Sequence, residues 1–245
     1  MQHARLPWIP VMMLTIVVLI QPLSFFGGSS DEIEASSPKE LDRIGFRGGT
    51  IVVRKIQYSP VEKGYVSIRV EPSITSEENL SAYIESRTNA LNKLLNSVSS
   101  DSVIQANVIL KIPMKPEDFI GLYETSLIKF SDYATVLTHK TTGVKTVEFF
   151  CHQTSGTEFT KDLMPINESF KLEGVIGAEA IIKAEEARLL QSDSRVLLID
   201  PFGDPVVQEI ADKYRSMGFY VEGPAPEFRD TVNQYTRLKH EVASP

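Results

Sequence analysis

Hydrophobic and polar positions divide this chain into three parts. A charge-free apolar run comes first, then a polar stretch without period, then a long region of strand and helix patterns. The run "LPWIPVMMLTIVVLIQPLSFF", Leu6 to Phe26, has the length of a membrane-crossing helix, for which ~20 apolar residues suffice. Arg5 precedes it and Asp31, Glu32 and Glu34 follow, so the positive flank predicts that the rest lies outside the cytoplasm. The competing reading is a cleaved signal peptide, for which "FFGGSSDEIEA" offers small residues but no A-x-A pattern. The next stretch, "GGSSDEIEASSPKELDRIGFRGG", lacks periodicity and reads as a tether.

Beyond it, "TIVVRKIQY" (50–58) and "YVSIRVEP" (65–72) predict two strands joined by the turn "SPVEKG". A helix follows over 76–98. Leu80, Tyr83, Ile84, Leu91, Leu94, Leu95 and Val98 form one stripe at helical spacing, Thr75 and Glu78 suggest a capping box, and the opposite face is polar and read as solvated. "SVIQANVILKI" (102–112) alternates as a half-buried strand should, with Ile104, Ala106, Val108, Leu110 and Ile112 on one side and Gln105, Asn107 and Lys111 on the other. "KPEDFIGLYE" predicts a short helix opened by Pro116, and "SDYATVLTH" and "VKTVEFFC" a hairpin about "KTTG". Residues 168–181 alternate as a strand and lead into a helix, because Gly174 and Gly177 weaken any helix there. A strand at 195–200, a helix at 205–217 and a short strand at "FYVEG" complete the pattern.

The expected fold class is α+β: an N-terminal transmembrane helix, then a mostly antiparallel sheet with helices on one face. Between residues 102 and 200 the element order resembles a ferredoxin-like pattern with one additional strand, a likeness of order alone. The expected division is 1–27 anchor or signal peptide, 28–49 flexible tether, 50–226 extracytoplasmic domain, and 227–245 a short helix and tail.

Charge and composition narrow the chemistry. A net charge of −7 argues against nucleic acid, whose phosphates require a concentrated basic surface. The single cysteine, Cys151, excludes an internal disulfide and a cysteine-based zinc site. His3, His139, His152 and His240 show no ligand spacing, and no cofactor motif is present. The sequons at Asn79 and Asn167 permit glycosylation and decide nothing.

Four places invite a functional reading. In "RVLLIDPFGDPVVQEI" (195–210), Asp200 and Asp204 are the candidate metal ligands. Structural punctuation explains every residue and is the reading adopted: Asp204 as N-cap, Pro205 at the first helical position, Val206, Ile210, Ala211, Tyr214 and Met217 as the buried stripe, and Gly218 as the stop. Cys151 and His152 adjoin, but successive strand residues point to opposite faces, which separates a nucleophile from its base. Arg47 in "GFRGGT" lacks a following helix that would help hold an anion, and reads as a flexible lead-in to the first strand. Phe228, Val232, Tyr235 and Leu238 repeat at helical spacing. They are the candidate partner-binding residues if that helix is not docked on the domain.

The expectation is therefore a single-pass membrane protein, held through residues 6–26, whose outer domain is an interaction, sensing or assembly module without catalytic activity or cofactor. Its expected partner is a protein in the membrane or at the cell surface. Alternatives are a hydrolase built from dispersed acids and a small-ligand domain with a pocket between sheet and helices.

Overall fold

The computed structural model describes residues 38–56, 64–123, 128–151 and 168–243, all within one compact unit, Ser36–Pro245. The proposed membrane span, Leu6 to Phe26, lies outside the described residues. Among the described residues no helix is long and apolar enough to cross a membrane.

The described strands are β1 (Lys39–Phe46), β2 (Gly49–Ile56), β3 (Tyr65–Pro72), β4 (Val103–Met114), β5 (Ile128–His139), β6 (Lys145–Cys151), β7 (Phe170–Lys183), β8 (Val196–Pro201) and β9 (Tyr220–Pro226). The helices are α1 (Glu77–Ser97), α2 (Pro116–Tyr123), α3 (Ala184–Gln191), α4 (Pro205–Ser216) and α5 (Phe228–His240). They make a mixed α+β fold with two mostly antiparallel sheets, ordered β1-β2-β3-β9 and β6-β5-β7-β4-β8. Among the described strands only the β3–β9 pair is parallel.

The pattern between 50 and 226 predicts one sheet. The second arises because the N-terminal hairpin recruits β9, whose partner β3 lies about 150 residues earlier, beyond the reach of local pattern. The described part of the expected tether is also ordered: Lys39–Phe46 pairs with β2 as an edge strand. Its polarity reflects a mostly exposed edge, where charged side chains discourage further pairing. Arg47 and Gly48 form the tight turn between β1 and β2, so "GFRGGT" is a hairpin corner and not a flexible lead-in. Gly48 has φ +87°, and a Cβ there would lie 2.4 Å from the backbone nitrogen of Tyr83, so no other residue fits.

Helix α1 forms as its stripe predicts. Leu80, Tyr83, Leu91 and Leu95 are buried, with Ile84, Leu94 and Val98 packed at the margin. Its cap differs by one residue. Ser76 accepts the Asn79 N–H at 3.2 Å, while the Thr75 hydroxyl donates to the Asn79 side chain.

Strand β4 departs from the expected half-buried alternation. It pairs with β7 on one side and β8 on the other, and the sheet is covered on both faces. Cross-strand partners share a face. Ile109 and Gly177 share one with Ala134 and Phe149, and there the Phe228 ring of α5 packs edge-on to Phe149 at 5.9 Å between centroids. Ala178 and Ala180 share the other face with Tyr133 and Phe130, against which Phe119 of α2 packs at 6.1 and 4.8 Å. Helices therefore cover both faces, where one was expected. Ile112, expected inside, is exposed beyond a register shift at Ile109/Leu110.

Helix α4 lies on the four-stranded sheet, closing a second core of Ile51, Val53, Val66, Ile68 and Val70 with Val207, Ala211 and Tyr214. The expected stripe is one residue out at its start. Val207 is buried in place of Val206, and Met217 is exposed.

Candidate functional site

The β8–α4 junction is built from the residues that the sequence singles out. Asp204 caps α4 by accepting the Val206 N–H at 2.9 Å, with Pro205 at the first position. Asp200, the last residue but one of β8, is completely buried. Between the two carboxylates lies the Arg87 guanidinium of α1. Its Nε donates to Asp200 Oδ1 at 2.6 Å, Nη1 donates to Asp204 Oδ2, and Nη2 donates to the Pro201 carbonyl at 3.1 Å. The Tyr83 hydroxyl donates to Asp200 Oδ2 at 2.7 Å. The guanidinium thus holds the position between the candidate ligands that a metal ion would occupy. Among the described residues no group of three or more His, Cys, Asp or Glu is placed to hold one.

Burial alone would lower the pKa of Arg87; the facing Asp200, with Tyr83 and Asp204, outweighs it and the net direction is upward. Burial and then the Asp200 charge push the Tyr83 hydroxyl well above its ordinary range. Each of the four side chains is hydrogen-bonded to another member of the group. The arrangement is a clamp that fixes α1 to the β8–α4 turn. Gly203 in that turn brings the backbone against α1, where an added Cβ would meet Leu94 at 3.3 Å.

The pattern along α1 places Arg87 on the polar face expected to be solvated, yet it is 2% exposed. The signal was present: Leu80, Tyr83, Ile84, Leu91, Leu94 and Leu95 leave a gap in the stripe, and Arg87 fills it at four residues from both Tyr83 and Leu91.

A second polar group lies between the sheets. Asn107 on β4 is completely buried, and neither its Oδ1 nor its Nδ2 has a hydrogen-bond partner among the described residues. Its strand neighbours are Asp200, held in the clamp, and Glu179 of β7. Phe130 opposes Ala180 and Tyr133 opposes Ala178, so Ser131 and Asp132 together stand opposite Glu179 in a β-bulge. The bulge brings the Asp132 carboxyl to Glu179. Burial first, and then the charge and hydrogen bond of Asp132, push the Glu179 carboxyl above its ordinary value, against Arg69 and Arg229. Arg69 of β3 pairs with Glu227 at 3.4 Å and Glu222 at 3.8 Å. Burial raises Glu227 too, against the pull of Arg69.

Beside this layer opens a cleft of about 760 Å³ between β9 and the adjoining ends of β4 and β7. Leu94, Val98, Val103, Ile181, Phe202 and Ala225 supply apolar walls; Arg69, Gln105, Gln208 and Glu222 supply polar groups. Val103 and Ile181 are 63% and 42% exposed, a concentration of accessible apolar surface at one mouth.

The remaining candidates fall elsewhere. Cys151 is the last residue of β6, opposite Asp132, and His152 lies outside the described residues. Arg47 pairs with Glu85 at the surface at 3.4 Å. Phe228, Val232 and Tyr235 are buried in the core and Leu238 packs against it, so the C-terminal stripe docks on its own domain and is not open to a partner. Asn79 hydrogen-bonds the Thr75 and Ser76 hydroxyls at the start of α1.

Compared with protein families, with curated proteins and with solved structures, the chain matches none.

Proposed function

We propose that this chain is a membrane-anchored, extracytoplasmic binding module without catalytic activity, acting through the cleft between its two sheets. The observation that carries this reading is the cleft itself. At about 760 Å³ it falls within the range of small-ligand sites, roughly 300–1,000 Å³, and its walls combine apolar side chains with a few polar groups. Among the readings that the sequence leaves open, this favours small-ligand binding over docking of a protein through the C-terminal helix, whose apolar face is already covered. The anchor and the outward orientation rest on the charge-free run Leu6 to Phe26 and its flanks. The ferredoxin-like reading of the second half draws support from the order β8-β4-β7-β5, with β6 as the additional strand at the β5 edge.

The hydrolase reading draws on the Asp132–Glu179 pair, two adjoining carboxyls of which Glu179 is raised by burial and then by Asp132. Against it, Arg69 is committed to other carboxylates and the clamp acids are neutralised by Arg87.

The test is complementation of a strain lacking the chain. Val103→Trp places a large ring at an exposed position in the cleft mouth, where folding tolerates it. The binding reading predicts loss of complementation with an unchanged unfolding midpoint; full complementation by a folded Val103→Trp protein would refute it. Protease added to intact cells or spheroplasts should digest the domain, and complete protection would refute the orientation.

A further inference from the structure

Among the described residues that line the cleft, only Arg69 and Glu222 carry charge, one of each sign. Glu222 of β9 stands opposite Ser67 of β3, and Arg69 lies two residues beyond Ser67, so the three share a face. Arg69 Nη2 and Glu222 Oε2 are 3.8 Å apart, close enough to balance charge and too far apart for a hydrogen bond. Arg69 Nε donates to Ser67 Oγ at 3.1 Å and lies 3.4 Å from Glu227 Oε1. Among the described residues the N–H groups of Nη1 and Nη2 donate to no acceptor, and the Glu222 carboxylate accepts from no donor. A donor and an acceptor therefore stand side by side in the cleft with their charges balanced and their hydrogen bonds unspent. This arrangement selects against a charged ligand. A carboxylate would set its second oxygen against Glu222, an ammonium would face Arg69, and neither finds a spare counter-ion to offset its lost hydration.

We propose that the cleft binds an uncharged primary amide or lactam, its carbonyl accepting from Arg69 and its N–H donating to Glu222, with its apolar body along Leu94, Val98, Val103 and Ile181; the proposal rests on the cleft being the binding surface. In a primary amide or lactam the carbonyl and an N–H lie on one edge, so a single group meets both partners. In a trans peptide bond they point opposite ways, and a main chain laid in the cleft would meet only one of the two. An added peptide strand is disfavoured for a second reason. β9 is the edge strand beside the cleft, and its Pro224 and Pro226 have no N–H to offer to a ladder. The polar pair belongs to the four-stranded sheet, whereas the apolar side chains come from α1 and the five-stranded sheet, so the ligand's head and body address different elements.

The full chain in lipid nanodiscs, titrated calorimetrically against empty-disc blanks, tests this with four probes of like shape: 3-phenylpropanamide, its N,N-dimethyl derivative, 3-phenylpropionate and 3-phenylpropylammonium. The primary amide should bind at least about tenfold more tightly than each of the others. Glu222→Gln, at a side chain 58% exposed, should move the preference by about tenfold or more towards the carboxylate, because it leaves the Arg69 charge without its counterpart in the cleft. If that variant fails to fold, Arg69→Gln should move the preference as far towards the ammonium. Val103→Trp should abolish binding of all four. Equal or tighter binding of a charged probe or of the dimethyl amide overturns the proposal, and so does an unchanged preference in the folded Glu222→Gln protein. Binding of a glutamine-bearing peptide without binding of the free amide overturns it too. If Val103→Trp abolishes binding that shows no preference among the probes, the amide assignment fails while the cleft remains the binding surface. If none of the probes binds, the amide assignment fails, and the cleft reading falls only if Val103→Trp also complements.

Discussion

Replacing Arg87 with methionine removes the one cation of the clamp while keeping most of the side chain's apolar volume. The consequence follows from what is left behind. Asp200, with no exposed surface, would keep only the Tyr83 hydroxyl; Asp204, 5% exposed, would keep the Val206 N–H; the Pro201 carbonyl would lose its donor. Stripping one partner from a buried ion pair costs about 3–5 kcal/mol, mostly because the remaining charge is stranded in a poor solvent. For a domain of this size, that lowers the melting temperature by about 10 °C or more. Guanidinium denaturation followed by far-ultraviolet circular dichroism reads the loss directly. Arg87→Lys should fall between methionine and the native residue, because an ammonium keeps the charge but lacks the planar fork that reaches both carboxylates and the carbonyl. Arg87→Met combined with Asp200→Asn should cost less than the sum of the single changes, by about 1–3 kcal/mol, as expected for groups in one network. A loss under about 1 kcal/mol for Arg87→Met, at unchanged denaturant slope, would refute the clamp as the element joining α1 to the β8–α4 turn.

Three further outcomes are expected. Asp204→Ala should destabilise by about 2–4 kcal/mol, because it removes both the helix cap and a partner of Arg87, whereas Asp204→Asn should recover only the cap, about 1 kcal/mol, in equilibrium denaturation. Gly48→Ala should cost about 2 kcal/mol or more, since it sets a Cβ in left-handed backbone against Tyr83, and loss of β1–β2 amide protection in hydrogen exchange should accompany it. Glu179→Gln should stabilise the domain at neutral pH by up to about 1 kcal/mol after solvent screening. The sign follows from a carboxyl raised in the folded state: its stabilising contribution is complete below the unfolded value near 4.5 and is lost as pH rises through the folded value. The glutamine protein should therefore gain on the native one as pH rises above the unfolded value near 4.5, and denaturant midpoints measured from acid to neutral pH check it.

Legibility in the sequence tracked the range of the interactions. Elements set by local period and punctuation, such as α1, the β5–β6 hairpin and the β8–α4 junction, were readable because spacing, Pro205 and Asp204 act within a few residues. The separate four-stranded sheet was not, because β3 meets β9 only through a long crossover. The edge strand β1 was obscured because edges carry charge, as tethers do. At the site, Asp200 and Asp204 were visible as acids, but their partner was misread because a charged side chain on a helix is usually solvated; only the gap that Arg87 fills betrayed it. Asn107 and the Asp132–Glu179 bulge depend on strand order and register, and no local pattern reports either.

The claim that the cleft is the binding surface is tested most directly by native mass spectrometry of the full chain purified from the cells that make it. The wild type should carry a small adduct that the folded Val103→Trp protein lacks. An adduct of equal mass on both, or none on the wild type, would contradict the account.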